Sequence, residues 1–165
     1  MKSHPLILFL FCATLTGCNR NSPRPDDLPE LSLCKITVTQ NGVPLQDAEV
    51  AIFSKDTSAK YRNATGTTDT EGIAEMRTYG FSGVPVGTYK VTVKKTVLEG
   101  AKEYVDDYGA TQVSGGKDYN FVNRRYLDEK TTDLEIEITA GKNEISVDVG
   151  KPVHELYQSG RIGYN

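Results

Sequence analysis

The feature that most constrains the fold of this chain is an alternation of apolar and polar residues. Cys34, Ile36 and Val38 alternate with polar residues, and a period of two is typical of strands that bury one face. The alternation returns four times, with predicted inward residues Ala48, Val50, Ile52; Tyr89, Val91, Val93; Leu134, Ile136, Ile138; and Ile145, Val147, Val149. A weaker strand is predicted over 72–78, with Ala74 and Met76 inward. The sequence therefore predicts several short strands around one core.

No stretch has the apolar spacing of three and four that an amphipathic helix requires, and polar turns separate the predicted strands. We therefore expect an all-β fold, an antiparallel β-sandwich of about seven strands over residues 31–150. The turn at 140–143 predicts a closing hairpin of the last two strands. Between residues 96 and 133 the alternation lapses, so this region is expected to be a long functional loop or to contain strands that the pattern does not locate.

The beginning of the chain predicts export. Lys2 precedes an apolar run over residues 5–15, which is too short to cross a bilayer that needs about 20 residues and is typical of a signal peptide. The run ends in Leu-Thr-Gly-Cys at 15–18, which resembles the lipobox of bacterial lipoproteins. That resemblance implies cleavage after residue 17 and a diacylglycerol on the Cys18 sulfur. Two or three acyl chains give stable anchoring without a transmembrane helix.

The alternative is an ordinary secretory signal, after which Cys18 and Cys34 would form a disulfide. The two interpretations exclude each other, because a thioether sulfur cannot also join a disulfide. Residues 18–30 contain three prolines and no apolar period, which predicts a flexible tether. Asn19 favours the outer membrane by resemblance to lipoprotein sorting signals. We expect a location in the cell envelope, anchored by lipid and facing the periplasm or the outer membrane.

The charge of the chain argues against nucleic-acid binding. The sequence has 19 Lys plus Arg and 22 Asp plus Glu, and losing residues 1–17 removes only Lys2, which leaves a net charge of −4. No segment collects basic residues beyond short pairs such as Lys94 with Lys95. Nucleic-acid binders concentrate basic residues on one face, so no nucleic acid is expected among the partners.

Three motifs carry a family resemblance: NGVPLQDAEVAIF at 41–53, GTTDTEGIA at 66–74 and VPVGTYKVTV at 84–93. Together they resemble the carboxypeptidase regulatory-like, prealbumin-like β-sandwich over residues 34–95. Residues 125–149 resemble the ends of small lipoproteins from Planctomycetes that carry this domain. Residues 151–165 are expected to form a C-terminal tail. The resemblance implies a scaffold attached to a membrane or to another protein, and no reaction.

The sequence offers little for catalysis or for metal binding. His154 is the only histidine after residue 17, and no serine or cysteine lies in a nucleophile motif. Prealbumin-like folds include a ureide hydrolase, but the residue order at 157–165 differs from its C-terminal signature. Asp69 and Glu71 share only a fragment of a calcium loop, and Asp106, Asp107 and Asp118 are expected to be solvated. We therefore expect no enzyme activity, no cofactor and no metal.

Aromatic side chains in the region without alternation are the best candidates for binding, because flat rings contact sugars and protein partners well. The candidate binding surface consists of Tyr104, Tyr108, Tyr119, Phe121 and Tyr126. The sequence thus predicts a non-enzymatic lipoprotein that displays a β-sandwich for binding or for envelope structure, with a protein or carbohydrate partner. A carbohydrate-binding accessory protein that uses these rings is the alternative.

Overall fold

A computed structural model describes residues 23–61 and 63–157 of the chain, and these residues form strands joined by turns. The strands are β1 (Leu33–Gln40), β2 (Val43–Pro44), β3 (Glu49–Ser54), β4 (Asn63–Thr67), β5 (Ile73–Glu75), β6 (Arg77–Thr78), β7 (Phe81–Ser82), β8 (Gly87–Lys94), β9 (Thr96–Val105), β10 (Thr111–Asn120), β11 (Glu135–Ile138), β12 (Lys142–Asp148) and β13 (Glu155–Leu156). A single 3₁₀ turn at Arg124–Tyr126 interrupts the described strands.

Two sheets form the sandwich, which confirms the predicted all-β class. One sheet has the order β12-β1-β2, with β5 also paired to β1, and the other has the order β11-β8-β3-β4-β6-β7. The neighbours in both sheets are antiparallel, except that β1 and β12 run parallel. The first and last long strands of the sandwich therefore lie side by side.

The core contains the residues that the alternation places inward. Ile36 and Val38 of β1, Val50 and Ile52 of β3 and Val91 of β8 are completely buried. Apolar burial stabilises a fold by about 25 cal/mol per Å², so these faces are committed to holding the two sheets together. The predicted inward faces are therefore confirmed, and the surface that remains for function comprises the outer faces, the ends and the edges of the sheets.

The predicted closing hairpin is wrong. β11 pairs with β8 in one sheet, whereas β12 pairs with β1 in the other. The chain crosses between the sheets after Thr139, where the Asn143 side chain accepts from the Thr139 amide at 3.0 Å and donates to the Thr139 carbonyl at 2.9 Å. Alternation specifies which face of a strand is buried, but it does not specify the strand beside it.

The two ends of the sandwich differ in what they carry. At one end Leu33 begins β1 beside Lys142, and Ser32 bridges to Val84, shortly before β8 begins. We call this the N-terminal end, because the segment that enters β1 lies there. β1 and β8 both run from this end to the opposite one, where β8 ends at Lys94.

The opposite end carries a long hairpin that replaces the loop expected over 96–133. β9 and β10 pair along their length, from Thr96 opposite Asn120 to Val105 opposite Thr111. We call this hairpin the arm (residues 96–120) and the end that bears it the arm end. The long loop is therefore wrong for 96–120, and the alternative, strands without clear alternation, is what the structure contains. Both faces of the arm are exposed over most of its length, so neither sequence face had to be apolar.

Candidate functional site

The predicted lipidation residue, Cys18, lies outside the residues that the structure describes, as does the whole predicted signal peptide. Among the described residues no helix has the length and apolar character that crossing a membrane requires. Cys34, the other cysteine of the alternative disulfide, is a free, buried thiol in the described chain. Burial raises the pKa of Cys34 to about 11, so this thiol stays protonated and unreactive at neutral pH.

The described part of the predicted tether contacts the sandwich. Leu28 is buried, and the Arg24 guanidinium donates to the Pro29 carbonyl at 2.8 Å. The Asp27 carboxylate accepts from the Tyr61 hydroxyl at 2.5 Å and from the Lys60 ammonium. Residues 24–30 therefore pack on the N-terminal end, which corrects the predicted tether over 18–30.

A cleft of about 510 Å³ lies beside this packed segment. It is lined by Asp27, Lys55, Lys60, Tyr61, Val86 and Tyr89, among others. Its charged groups are already paired, since Lys60 bonds Asp27 and Lys55 forms an ion pair with Glu135 at 3.0 Å. An exposed ion pair of this kind contributes little free energy, and no set of groups for acid-base chemistry converges among the cleft residues that the structure describes.

Two tyrosines of the candidate binding surface lie in the distal part of the arm. Tyr104 near the end of β9 is 52% exposed, and Tyr108 in the connecting turn is 95% exposed. Val105 and Val113 beside them are also exposed. Tyr104 lies on one face of the ribbon and Val105 with Val113 on the other, since side chains alternate along a strand. Because exposed apolar side chains that cluster mark contact sites, this part of the arm is the best candidate functional site among the described residues.

The turn that presents Tyr108 is held by one carboxylate. Asp106 Oδ1 accepts from the Ala110 amide at 2.8 Å and from the Tyr108 amide at 3.0 Å, and Oδ2 accepts from the Gln112 side chain at 3.2 Å. The Ala110 amide, more than the other two donors, lowers the pKa of Asp106. The turn is thus formed before any partner arrives, which reduces the entropy lost on binding.

Tyr119 and Phe121 lie at the base of the arm, apart from Tyr108. The His154 ring stacks on Tyr119 with centroids 4.2 Å apart, and it contacts Phe121 edge to face at 5.2 Å. His154 Nε2 lies 3.2 Å from both carboxylate oxygens of Glu99. These two rings contact the described part of the predicted tail, so part of their surface is used in packing.

Tyr126 does not belong to a binding surface, which corrects the prediction. It is only 4% exposed in the 3₁₀ turn. Its hydroxyl accepts from the Arg125 guanidinium, whose charge lies 4.5 Å from the ring centroid. The five predicted rings therefore separate into a distal pair, a pair at the base of the arm and one ring in the core.

The described residues hold no group of three or more histidine, cysteine, aspartate or glutamate side chains that could bind a metal. Asp69, from the calcium-like fragment, accepts from the Glu71 and Ile73 amides at 2.9 Å each. That geometry is an ordinary side-chain-capped turn. Among the described residues, the polar partner of His154 is the Glu99 carboxylate, 3.2 Å away.

Sequence reasoning missed the role of residues 151–157. β13 pairs with β10, opposite Tyr119 and Asn120, and Arg124 forms an ion pair with Glu155 at 2.8 Å. The Lys94 ammonium lies 4.6 Å from the Tyr157 ring centroid. A strand of two residues is too short to show a period in the sequence. The one signal for the contact between this segment and β10 is that a lone histidine often packs against aromatic rings.

The chain matches no protein-family model and no curated protein. Among solved structures it is similar to a crystal structure of BcpA, the major pilin subunit of Bacillus cereus, with 12% sequence identity and a TM-score of 0.38. The similarity covers 78% of this chain and 31% of that chain, so this chain spans under a third of the pilin chain's length.

Proposed function

We propose that this chain is a bacterial lipoprotein, anchored through lipid on Cys18, that displays a non-catalytic β-sandwich and binds a partner through its arm. The observation that carries the proposal is the placement of the arm at the end opposite the packed N-terminal segment. The lipobox-like stretch at 15–18 supports the anchor. A binding element at the far end of an anchored domain would point away from the membrane.

The distance to the membrane supports the same arrangement. Cys18 and Arg24 are six residues apart, and an extended chain spans at most about 3.6 Å per residue. The N-terminal end would therefore stay within about 20 Å of the acyl chains. At about 3.3 Å per residue the eight residues of β1 extend about 26 Å further along the sandwich, so an anchored chain with β1 along the membrane normal would hold the base of the arm well above the headgroups.

The absence of catalysis in this proposal is supported by the chemistry of the described residues. Their one buried thiol has a raised pKa, and their one histidine lies on Tyr119 with Glu99 as its polar partner. The resemblance to the carboxypeptidase regulatory-like domain also supports a scaffold. Location in the cell envelope follows from the same proposal.

The anchor is tested by the intact mass of the chain in the membrane fraction of a Gram-negative host. We expect a chain that begins at residue 18 with a diacylglycerol and an acyl group, and we expect Cys18→Ser to leave the membrane. Cys34→Ala is the matched control, because it removes the other thiol and must leave the anchor intact. An unmodified mature chain with a Cys18–Cys34 disulfide would contradict the proposal.

A second candidate, a carbohydrate-binding accessory protein, is favoured by the exposure of Tyr104 and Tyr108, since exposed rings stack on sugars. It is tested by binding to a glycan array. If it holds, replacing both tyrosines with alanine abolishes binding, whereas Tyr79→Ala, a change to an exposed ring outside the arm, leaves binding unchanged. Binding that survives the double replacement would exclude this surface.

A further inference from the structure

The outer half of the arm is a ribbon of two strands without support. Residues 102–105 and 107–115 are exposed, and Ala101 and Asp106 are only partly buried. An isolated two-stranded hairpin is marginally stable in water, whereas a third strand or a packed face makes it stable. This part of the arm therefore gains most from one additional strand.

The arm has an open edge that could receive that strand. Among the described strands β9 pairs only with β10 and is open along its other edge, whereas β10 also contacts β13 and Tyr157 over Asp118–Asn120. The ten residues of β9 contain no proline, which is one of the devices that protect natural edges. Leu98, Tyr104 and Val105 on this strand are exposed. The edge thus offers unpaired backbone groups together with apolar side chains.

Charge indicates what kind of strand fits this edge. The arm carries two cations, Lys102 and Lys117, and five acids, Glu99, Glu103, Asp106, Asp107 and Asp118, for a net charge of −3. Like charges directly opposite one another destabilise a strand pair, which disfavours a second arm as the occupant. The negative charge of the arm also repels anionic lipid headgroups. A cationic protein segment is favoured, because its charge is opposite to that of the arm.

We propose that the free edge of β9 is the docking site for an extended, cationic segment of a partner protein, which adds to the arm as a third strand. Backbone hydrogen bonds along residues 101–105 would provide the pairing, as in β-augmentation generally. Glu103 and Asp107 would select positive side chains, and Tyr104 with Tyr108 would cover apolar ones. This inference rests on the proposed function, because it identifies the partner class of the same arm.

The test uses the full processed chain in neutral detergent and three ten-residue peptides of alternating sequence. The first alternates Lys and Val, the second Glu and Val, and the third repeats the first with N-methyl groups on alternate residues. We expect only the first peptide to bind, and we expect it to slow amide exchange in β9. The third peptide keeps the charge and the apolar side chains but cannot pair with the edge.

Two charge reversals complete the test. Glu103→Lys on the arm should weaken binding of the Lys-Val peptide at least tenfold, whereas Glu71→Lys on the sandwich changes the net charge equally and should leave it unchanged. Equal binding of the N-methylated peptide, equal effects of both reversals, slowed exchange outside the arm, or no binding would each overturn the docking site. None of these outcomes changes the mass of the chain in the membrane fraction, so failure of the edge and failure of the anchor are distinguishable.

Discussion

The His154 ring lies flat against Tyr119, with 8° between the ring planes. The Val153 amide, next to it, donates to the Phe121 carbonyl at 3.2 Å, and the Tyr157 amide donates to the Asp118 carbonyl at 2.7 Å. This one stacked pair therefore sits between two backbone bonds that fix residues 153–157 on the base of the arm. The C-terminal part of the described chain acts as a brace for the hairpin.

His154→Ala should loosen that brace. Stacked aromatic pairs are worth about 0.5–1.5 kcal/mol, so exchange of the Val153 and Tyr157 amides should accelerate about 2–10-fold while core amides stay unchanged. His154→Phe is the matched control, since it keeps the stacking and removes the polar contact with Glu99. Equal exchange rates in wild type and His154→Ala would show that the ring contributes nothing to docking.

Thr96→Val should stabilise the protein. The Thr96 hydroxyl oxygen is buried and has no hydrogen-bond partner among the described residues, and a buried unsatisfied polar group costs about 1–3 kcal/mol. We expect the free energy of unfolding in urea to rise by about 1 kcal/mol.

Thr132→Val is the control for this change. The Thr132 hydroxyl donates to the Val91 carbonyl at 2.7 Å and accepts from the Leu134 amide at 3.2 Å. The same substitution should therefore lower the free energy of unfolding by about 1–2 kcal/mol. If the free energy of unfolding changes in the same direction in both variants, the hydrogen bonding of the two hydroxyls does not determine the effect of the substitution.

Gly72→Ala should be far more damaging than Gly42→Ala. Both glycines have positive φ, +75° and +78°, so both changes carry the left-handed penalty of roughly 1–2 kcal/mol. A Cβ on Gly72 would lie 2.7 Å from the Val38 carbonyl oxygen, whereas one on Gly42 meets nothing within 4 Å. We expect a further loss of about 1–3 kcal/mol at Gly72 alone, measured by urea unfolding. Equal losses would mean that the turn at Gly72 moves away from β1 without cost.

The protein should lose stability in alkali. Burial, reinforced by the nearby Cys34 sulfur, raises the pKa of Tyr89 to about 12, and burial raises the pKa of Cys34 to about 11. Both groups stay neutral in the folded state while the unfolded chain ionises near pH 8.5 and 10. Their contribution is therefore complete below about pH 8.5 and is lost as pH rises to 12.

The alkaline loss is measured by urea unfolding between pH 8 and pH 12. Tyr89 should account for on the order of 2 kcal/mol of it. Tyr89→Phe removes the titrating group along with the hydrogen bond from its hydroxyl to the Pro85 carbonyl, 2.8 Å in length. This variant should be less stable at pH 8, but its free energy of unfolding should change less between pH 10 and 12 than that of the wild type. A slope identical to that of wild type would contradict the assignment to Tyr89.

The predictable part of the fold is the part in which burial is one-sided. β1, β3, β8, β11 and β12 each present one face to the core, so their alternation marks both the strand and its inward residues. β9 and β10 escape this rule, because water surrounds both faces of the arm and neither face had to be apolar. Alternation also does not predict strand pairing, since Ile145 and Val147 would be buried in the same pattern whichever strand lay beside them.

The sequence predicts the candidate site only through its residue types, because it shows where tyrosines are concentrated but not which of them are exposed. Tyr104 and Tyr108 could be chosen because tyrosines are concentrated there, and they are exposed. Tyr126, chosen for the same reason, is buried, since a tyrosine serves equally well in a core when its hydroxyl finds a donor such as Arg125. The sequence shows His154 only as an isolated histidine in a tail, because its partners, Glu99 and Tyr119, lie far away in the sequence.

The parallel neighbours β1 and β12 govern when the protein can fold. Leu33 meets Lys142 only after more than a hundred intervening residues have been made, and contacts of such long sequence separation are slow to form. A ribosome or a translocation channel that releases the chain from its N-terminus holds β1 with only β2 and β5 beside it until residues 142–148 have emerged. Because β12 is made after every other strand that pairs with β1, a chain truncated before residue 142 leaves one edge of β1 unpaired, and an unpaired edge is prone to aggregation.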